Sequence, residues 1–182
     1  MSHPGPLGGL PEPTLPAGFE FLAAVDGDAD ELATLVTGAY HSTHDAPWDG
    51  TRIKTELLDA TDVLETWVVV DSEGHIHATA SERLLPYIYP DGTGYVHLVG
   101  VHQASQGLGL GRAVTLRVLR GFVDRGLTKA VLNTADFRLP AVRLYLELGF
   151  IPEYRDDTER LAWSEMFRHS LFESRTSSSA GR

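Results

Sequence analysis

The residues best placed to do chemistry here are backbone groups. Gln106-Gly107-Leu108-Gly109-Leu110-Gly111-Arg112 follows a strand-like run, Val99-Gly100-Val101, and opens a segment with Leu110, Val114, Val118 and Phe122 spaced four apart. Glycine lets a backbone approach a ligand closely and adopt positive φ. The first N–H groups of a helix have no partner within it and lie at the positive end of its dipole. A phosphate is the natural occupant of such a turn. The dipole is worth only about 0.3–2 kcal/mol, so several N–H bonds must share the recognition. Two common phosphate motifs fail. No Gly-Lys-Ser/Thr follows, which excludes a P-loop, and a dinucleotide fingerprint from Gly107 meets Arg112 where its third glycine belongs. The turn also comes after a run of strands instead of opening a βαβ unit.

A second block reads Leu132-Asn133-Thr134 and then Pro140-Ala141-Val142-Arg143-Leu144-Tyr145-Leu146-Glu147-Leu148-Gly149-Phe150. Together the two blocks resemble the GCN5-related N-acetyltransferase superfamily. The hexapeptide from Gln106 to Gly111 matches its Gln/Arg-x-x-Gly-x-Gly/Ala loop, and the second block matches its Ala-x-x-Leu-Tyr-x-x-x-Gly-Phe helix. The resemblance covers roughly residues 19–172, with the strong motifs within 95–150. Two departures stand out: Gln103 replaces a frequent proline, and Arg138 stands where many members carry asparagine.

The resemblance implies direct acyl transfer from acetyl-coenzyme A, without a covalent enzyme intermediate, to an amine of a small molecule or peptide. It implies a mixed α/β fold: a mostly antiparallel twisted sheet, splayed between two parallel strands and flanked by helices. The N–H groups of Leu108, Gly109, Gly111 and Arg112 would hold the diphosphate, with Gly107 in the turn and Gln106 shaping or touching it. Val99 and Val101 would pair with the pantetheine arm, with Asn133 and Arg138 nearby, and Lys129 would be a further phosphate partner. Tyr145 would protonate the leaving thiolate, or else pack as a core tyrosine. Alternation along the strand puts Tyr95, His97, Val99 and Val101 on one face, which makes His97 the first candidate base for the amine and Glu82 the second. Tyr40, His44, Trp48, Tyr87 and Tyr89 fall where the acceptor would bind. The His41–Asp45 spacing matches no strong zinc signature, so no metal is expected. The alternatives are another acyl donor (a different acyl-coenzyme A, an acyl carrier protein or an aminoacyl-tRNA) or a non-catalytic sensor.

Around these residues the expected elements run strand (19–25), helix (to about 40), short helix (51–58), hairpin (65–71 and 76–85), strand (95–101), helix (to about 125), strand (130–134) and helix (141–148). A last helix covers 161–172. Residues 1–18 read as a flexible Pro/Gly-rich tail, 19–173 as one acyltransferase domain and 174–182 as a disordered tail. The chain contains no cysteine, which excludes disulfides, thiolate metal sites and a cysteine acyl-enzyme and permits a cytoplasmic location. No apolar run approaches the length of a membrane span. The formal net charge is −10, against general nucleic-acid binding. Residues 1–100 hold sixteen acids against Arg52, Lys54 and Arg83, whereas 112–143 hold seven basic residues against Asp124 and Asp136. That stretch is either a solvated helix face or a surface meeting a polyanion. The helix around Trp163 and Phe167 is open to homodimer pairing or to covering the sheet.

Overall fold

The computed structural model describes residues 1–40, 46–135, 137–154, 156–161 and 163–165. Its strands are β1 (Ser2–His3), β2 (Phe19–Ala23), β3 (Val63–Asp71), β4 (Ile76–Arg83), β5 (Thr93–Val101) and β6 (Lys129–Leu132). They form one sheet in the order β1-β6-β5-β4-β3-β2. All neighbours are antiparallel except β5 with β6, which makes the sheet mixed, as expected.

Helices α1 (Ala29–Ala39), α2 (Gly50–Ile53), α3 (Leu110–Asp124) and α4 (Leu139–Glu147) flank the sheet, and a π-helical turn, Lys54–Leu58, extends α2. Strand alternation sorts the core into two layers. Val68 and Val70 pack with Leu32, Leu35 and Val36 of α1, while Val69, Ala78 and Ala80 pack with Val114, Val118 and Phe122 of α3. The four-residue spacing of α3 is thus its buried stripe. Its end is a Schellman motif: Gly126 has φ 77°, its N–H bonds Val123 O, and Leu127 N–H bonds Phe122 O at 2.8 Å.

β5 is irregular where the site needs it to be. Ser81 pairs with His97 and Thr79 with Gly100, so two steps on β4 match three on β5. Leu98 absorbs the extra residue with φ 45°, the sole non-glycine residue with positive φ among those described. The bulge reverses the alternation. A Cβ on Gly94 would strike Phe122 of α3, whereas one on Gly100 would strike Leu35 of α1. Val96 and Val99 both face the α3 core, and Leu98 turns to the α1 core. Tyr95 and His97 therefore lie on the opposite face from Val99 and Val101, which corrects the expectation that all four share one. Pairing of β5 with β6 runs from Thr93↔Lys129 to Val96↔Leu132 and ends there, so the parallel strands part beside the bulge.

The N-terminal segment departs from its reading as a flexible tail. Ser2–His3 pairs with β6, Ser2 bridges Ile151, the Met1 ammonium donates to Leu132 O at 2.9 Å, and Leu7 is buried in the α3-side core. The outer edge of β6 has backbone groups that need partners, and these residues supply them. At the other end, 157–161 and 163–165 are helical, so this helix starts before Leu161. Phe167 and the expected tail at 174–182 lie outside the described residues.

Candidate active site

A cavity of about 550 Å³ lies between the open end of β5, the glycine turn and α4. One wall is Val99 and Val101. Ser105 to Gly107 and Gly109 to Arg112 form the second, and Arg138, Leu144 and Tyr145 line the third. Gly107 and Gly109 have φ 83° and 80°, and a Cβ on either would meet nothing within 4 Å. The turn therefore bares its backbone to open space. Gly109 caps α3, and Ala113 N–H bonds its carbonyl at 3.0 Å, so the N–H groups of Leu110, Gly111 and Arg112 are the helix's unclaimed first donors. Gly111 serves packing as well, since a Cβ there would lie 3.2 Å from Val101.

Tyr145 owes its position to the end of α4. Gly149, at φ 89°, closes a second Schellman motif in which Phe150 N–H bonds Tyr145 O at 2.9 Å. The Phe150 ring then packs edge-on against Tyr145, centroids 6.0 Å apart. The Tyr-x-x-x-Gly-Phe spacing is thus a capping signal that orients the tyrosine. Tyr145 is 3 % exposed, and burial drives its phenol well above the ordinary value; nearby Tyr40 adds to the rise and Arg138 offsets part of it. The phenol is protonated throughout the physiological range.

The Val99 carbonyl, past the last β5–β6 pair, accepts from side chains. Tyr40 Oη–H donates at 3.1 Å and an Arg138 guanidinium N–H at 3.4 Å, with the Arg138 guanidinium stacked 4.1 Å from the Tyr40 ring centroid. Arg138 therefore stands against the β5 edge where an extended ligand would pair.

Several other candidates are placed elsewhere. Leu108 sits in the turn with its side chain half exposed, and Asn133 hydrogen-bonds the Tyr95 hydroxyl on the α1 side. Lys129 borders a different cavity, of about 540 Å³, with His3, Thr93 and Glu153. Glu82, the second candidate base, is fully buried on the α3 side. It accepts from Trp67 Nε1 at 2.7 Å and Arg125 Nε at 3.0 Å, under Gly121. With these neighbours it is a core carboxylate outside the cavity lining. His97 is also outside the cavity lining. An Arg83 N–H lies 3.1 Å from its Nε2, so this nitrogen accepts, and Arg83 in turn pairs with Asp62. Burial, with Arg83 adding, holds His97 down to about 4, so it is neutral at physiological pH and its lone pair is engaged.

On the acceptor side, Tyr89 stacks on Tyr95 at 6.1 Å, and Tyr87 is fully exposed. Trp48 is tied to Thr37 by two hydrogen bonds and covered by Arg52, and Tyr40 donates instead to the carbonyl of Val99, a cavity residue. His44 lies outside the described residues. The basic stretch divides: Arg117 stacks on Trp67, Arg120 pairs with Glu12 and Arg125 with Glu82, while Arg112 and Arg138 line the cavity. Ser105 is a cavity residue that no motif marked; its place just before Gln106 was its sole sequence signal. Among the described residues no three His, Asp or Glu side chains cluster as a metal site needs, and no helix is long and apolar enough to cross a membrane.

Comparison with known proteins matches residues 30–150 to the acetyltransferase (GNAT) family. A mycothiol acetyltransferase of Thermomonospora curvata is 37 % identical over 146 residues, covering 78 % of this chain and 47 % of that protein. The chain spans about half the length of the curated relatives it matches. Among solved structures, an acetyltransferase of Trypanosoma brucei has TM-score 0.59 at 23 % identity, covering 76 % of this chain and 96 % of that one. The ribosomal-protein-S18-alanine N-acetyltransferase of Escherichia coli has TM-score 0.61 at 18 % identity, covering 75 % and 79 %. These two share the fold.

Proposed function

The chain belongs to the acetyltransferase (GNAT) family, and from that premise we propose that it transfers acetyl from acetyl-coenzyme A directly to an amine of a small molecule. The observation that carries this reading is the continuity of one cavity from the glycine turn, along Val99 and Val101, to Tyr145. The residues fit the donor. The bared N–H groups of the turn suit a diphosphate, Arg112 at its rim adds positive charge, and the edge of β5 beyond Val96 can take an extended amide-bearing arm. When bound, acetyl-coenzyme A supplies an acyl thioester that the amine attacks, and the C–S bond breaks as the C–N bond forms.

The chain's own groups bind, orient and handle protons. Arg138 and Tyr40 must release the β5 edge at Val99 for the arm to lie along it. Tyr145 holds its proton towards the departing sulfur. Because a thiol is the stronger acid, at about 8.5, the buried phenol stabilises the developing thiolate first as a hydrogen-bond donor, and Arg138 beside it favours the negative charge. With His97 and Glu82 both engaged, the amine's proton passes to water. Mycothiol acetyltransferases are named for a small molecule, which favours a small amine over a peptide here. The test is thiol release from acetyl-coenzyme A over a panel of small amines and peptides, with products identified by mass. Amine-dependent release of thiol with an N-acetylated small molecule supports the reading. Donor binding with no transfer to any amine would favour a sensor instead.

A further inference from the structure

A second polar assembly borders the donor cavity and has no part in the reading above. Asp71 closes β3, His77 lies on β4, and Ser105 ends the 3-10 turn Gln103–Ser105 that leads into the glycine turn. His77 Nε2 is 2.9 Å from Asp71 Oδ2, and His77 Nδ1 is 2.6 Å from Ser105 Oγ. Ser105 is 4 % exposed and lines the cavity beside Gln106. The His77 carbonyl also accepts from His102 N–H at 2.8 Å, which fixes β4 against the chain entering the turn.

The chemistry of the three groups leaves one arrangement of protons. The hydrogen bond from His77, with the N–H groups of His75 and Glu73, holds Asp71 down to about 2, so it is a carboxylate that only accepts. Nε2 must therefore carry a proton. In the neutral ring Nδ1 is then the acceptor, and the single hydrogen of Ser105 is spent on it. When His77 gains a proton, Nδ1 becomes a donor, Ser105 Oγ accepts, and the hydroxyl hydrogen is freed for another acceptor.

We propose that Ser105 is a binding residue for a phosphate oxygen of the acyl-coenzyme A donor, and that His77 and Asp71 are positioning residues that make this contact proton-linked. The proposal rests on the donor reading of the cavity. The ionisable groups around His77 are Asp71, Glu73 and His75 of the β3–β4 hairpin and His102 at the exit of β5, its ring 6.3 Å away; Phe19 of β2 adds an aromatic edge at 5.2 Å. A bound anion favours the imidazolium, so by reciprocity binding takes up protons and tightens as pH falls.

The test is calorimetric titration of the protein with 3′-dephospho-coenzyme A, whose diphosphate does not titrate between about pH 5.5 and 8.5, the range in which a histidine changes charge. Two buffers of different ionisation enthalpy count the protons. The expected result is proton uptake and a Kd that falls about tenfold towards the acid end, the scale of one hydrogen bond to a charged group. Ser105→Ala and His77→Gln should each flatten that dependence. A pH dependence unchanged in Ser105→Ala would overturn the proposal. Should His77→Gln fail to fold, the His77 imidazole of the wild type is followed by NMR: its pKa must rise when the ligand binds, and a fixed pKa would overturn the proposal equally. Binding without a His77-linked pH effect sinks this proposal alone. No binding at any pH sinks the donor reading and this proposal with it.

Discussion

From Thr93 to Val96, β5 is paired with β6, and at Tyr95 and Val96 with β4 as well; from His97 to Val101 it is paired only with β4. The paired end is filled. A Cβ on Gly94 would lie 2.6 Å from Phe122, Val96 is buried, Tyr95 is held by Asn133, and His97, the first residue beyond the β6 pairing, is held by Arg83. The other end borders a cavity whose turn glycines, Gly107 and Gly109, have empty space beside them. One strand thus packs into the core at its start and borders the cavity at its finish, and the bulge at Leu98 divides the two. Changes at the open end should alter chemistry and leave stability nearly untouched, and changes at the closed end should do the reverse.

The sharpest way to break that contrast is Tyr145→Phe. Turnover should fall by roughly 10–10⁴-fold with the fold intact, the upper part of that range being the scale for a positioned acid; unchanged kcat in a folded variant removes the phenol from the mechanism. Next comes Gly109→Asp, which places a carboxylate at the turn. Donor affinity should drop about 10²-fold or more, since like charges brought together cost several kcal/mol. Thermal stabilisation by acetyl-coenzyme A should vanish while the free protein melts within a few degrees of wild type.

The closed side is probed by Gly121→Ala. A Cβ there would sit 1.9 Å from Glu82 Oε1, so the buried carboxylate must move. Overpacking of this kind costs about 1–3 kcal/mol, or about 2–4 °C of Tm per kcal/mol at this size. Donor affinity of the folded protein should hold; a selective loss of affinity would show that the two regions are coupled.

The smallest effect at neutral pH belongs to His97. Its folded pKa is lowered to about 4 from about 6.5 unfolded, so between these values the unfolded state binds the extra proton. Stability is full above about 6.5 and is lost as pH falls towards about 4, by up to about 3 kcal/mol. His97→Gln should remove much of that slope in acid denaturation curves and leave the acidic limb of the pH–rate profile in place. Loss of that limb would restore His97 as the base.

How much of this was legible in the sequence follows from the range of the forces involved. Local signals were readable: the α3 stripe, Gly126 and Gly149 as helix stops, and the glycine turn with its strand before and helix after. Tyr145 could be placed because its capping partners lie within five residues. The bulge could not be read, because it exists only as a mismatch with β4, and without it strict alternation put His97 on the wrong face. Glu82 was misread for a similar reason, since its partners Trp67, Gly121 and Arg125 are 15 to 43 residues away. Met1 to Leu7 looked like a tail because its order depends on the unpaired edge of β6. Asp71, His77 and Ser105 carry no spacing motif; the hairpin turn and the β4–β5 pairing bring them together.

The central claim is that backbone N–H groups of the turn hold a diphosphate while the donor's arm follows the unpaired edge of β5. It is tested most directly by a crystal structure of the chain with coenzyme A. The account predicts diphosphate oxygens within about 2.7–3.2 Å of turn amides from Leu108 to Arg112, the pantetheine beside Val99 and Val101, and the sulfur near Tyr145. Coenzyme A seated in the cavity beside β1 and Lys129, with the turn and the β5 edge unoccupied, would contradict it.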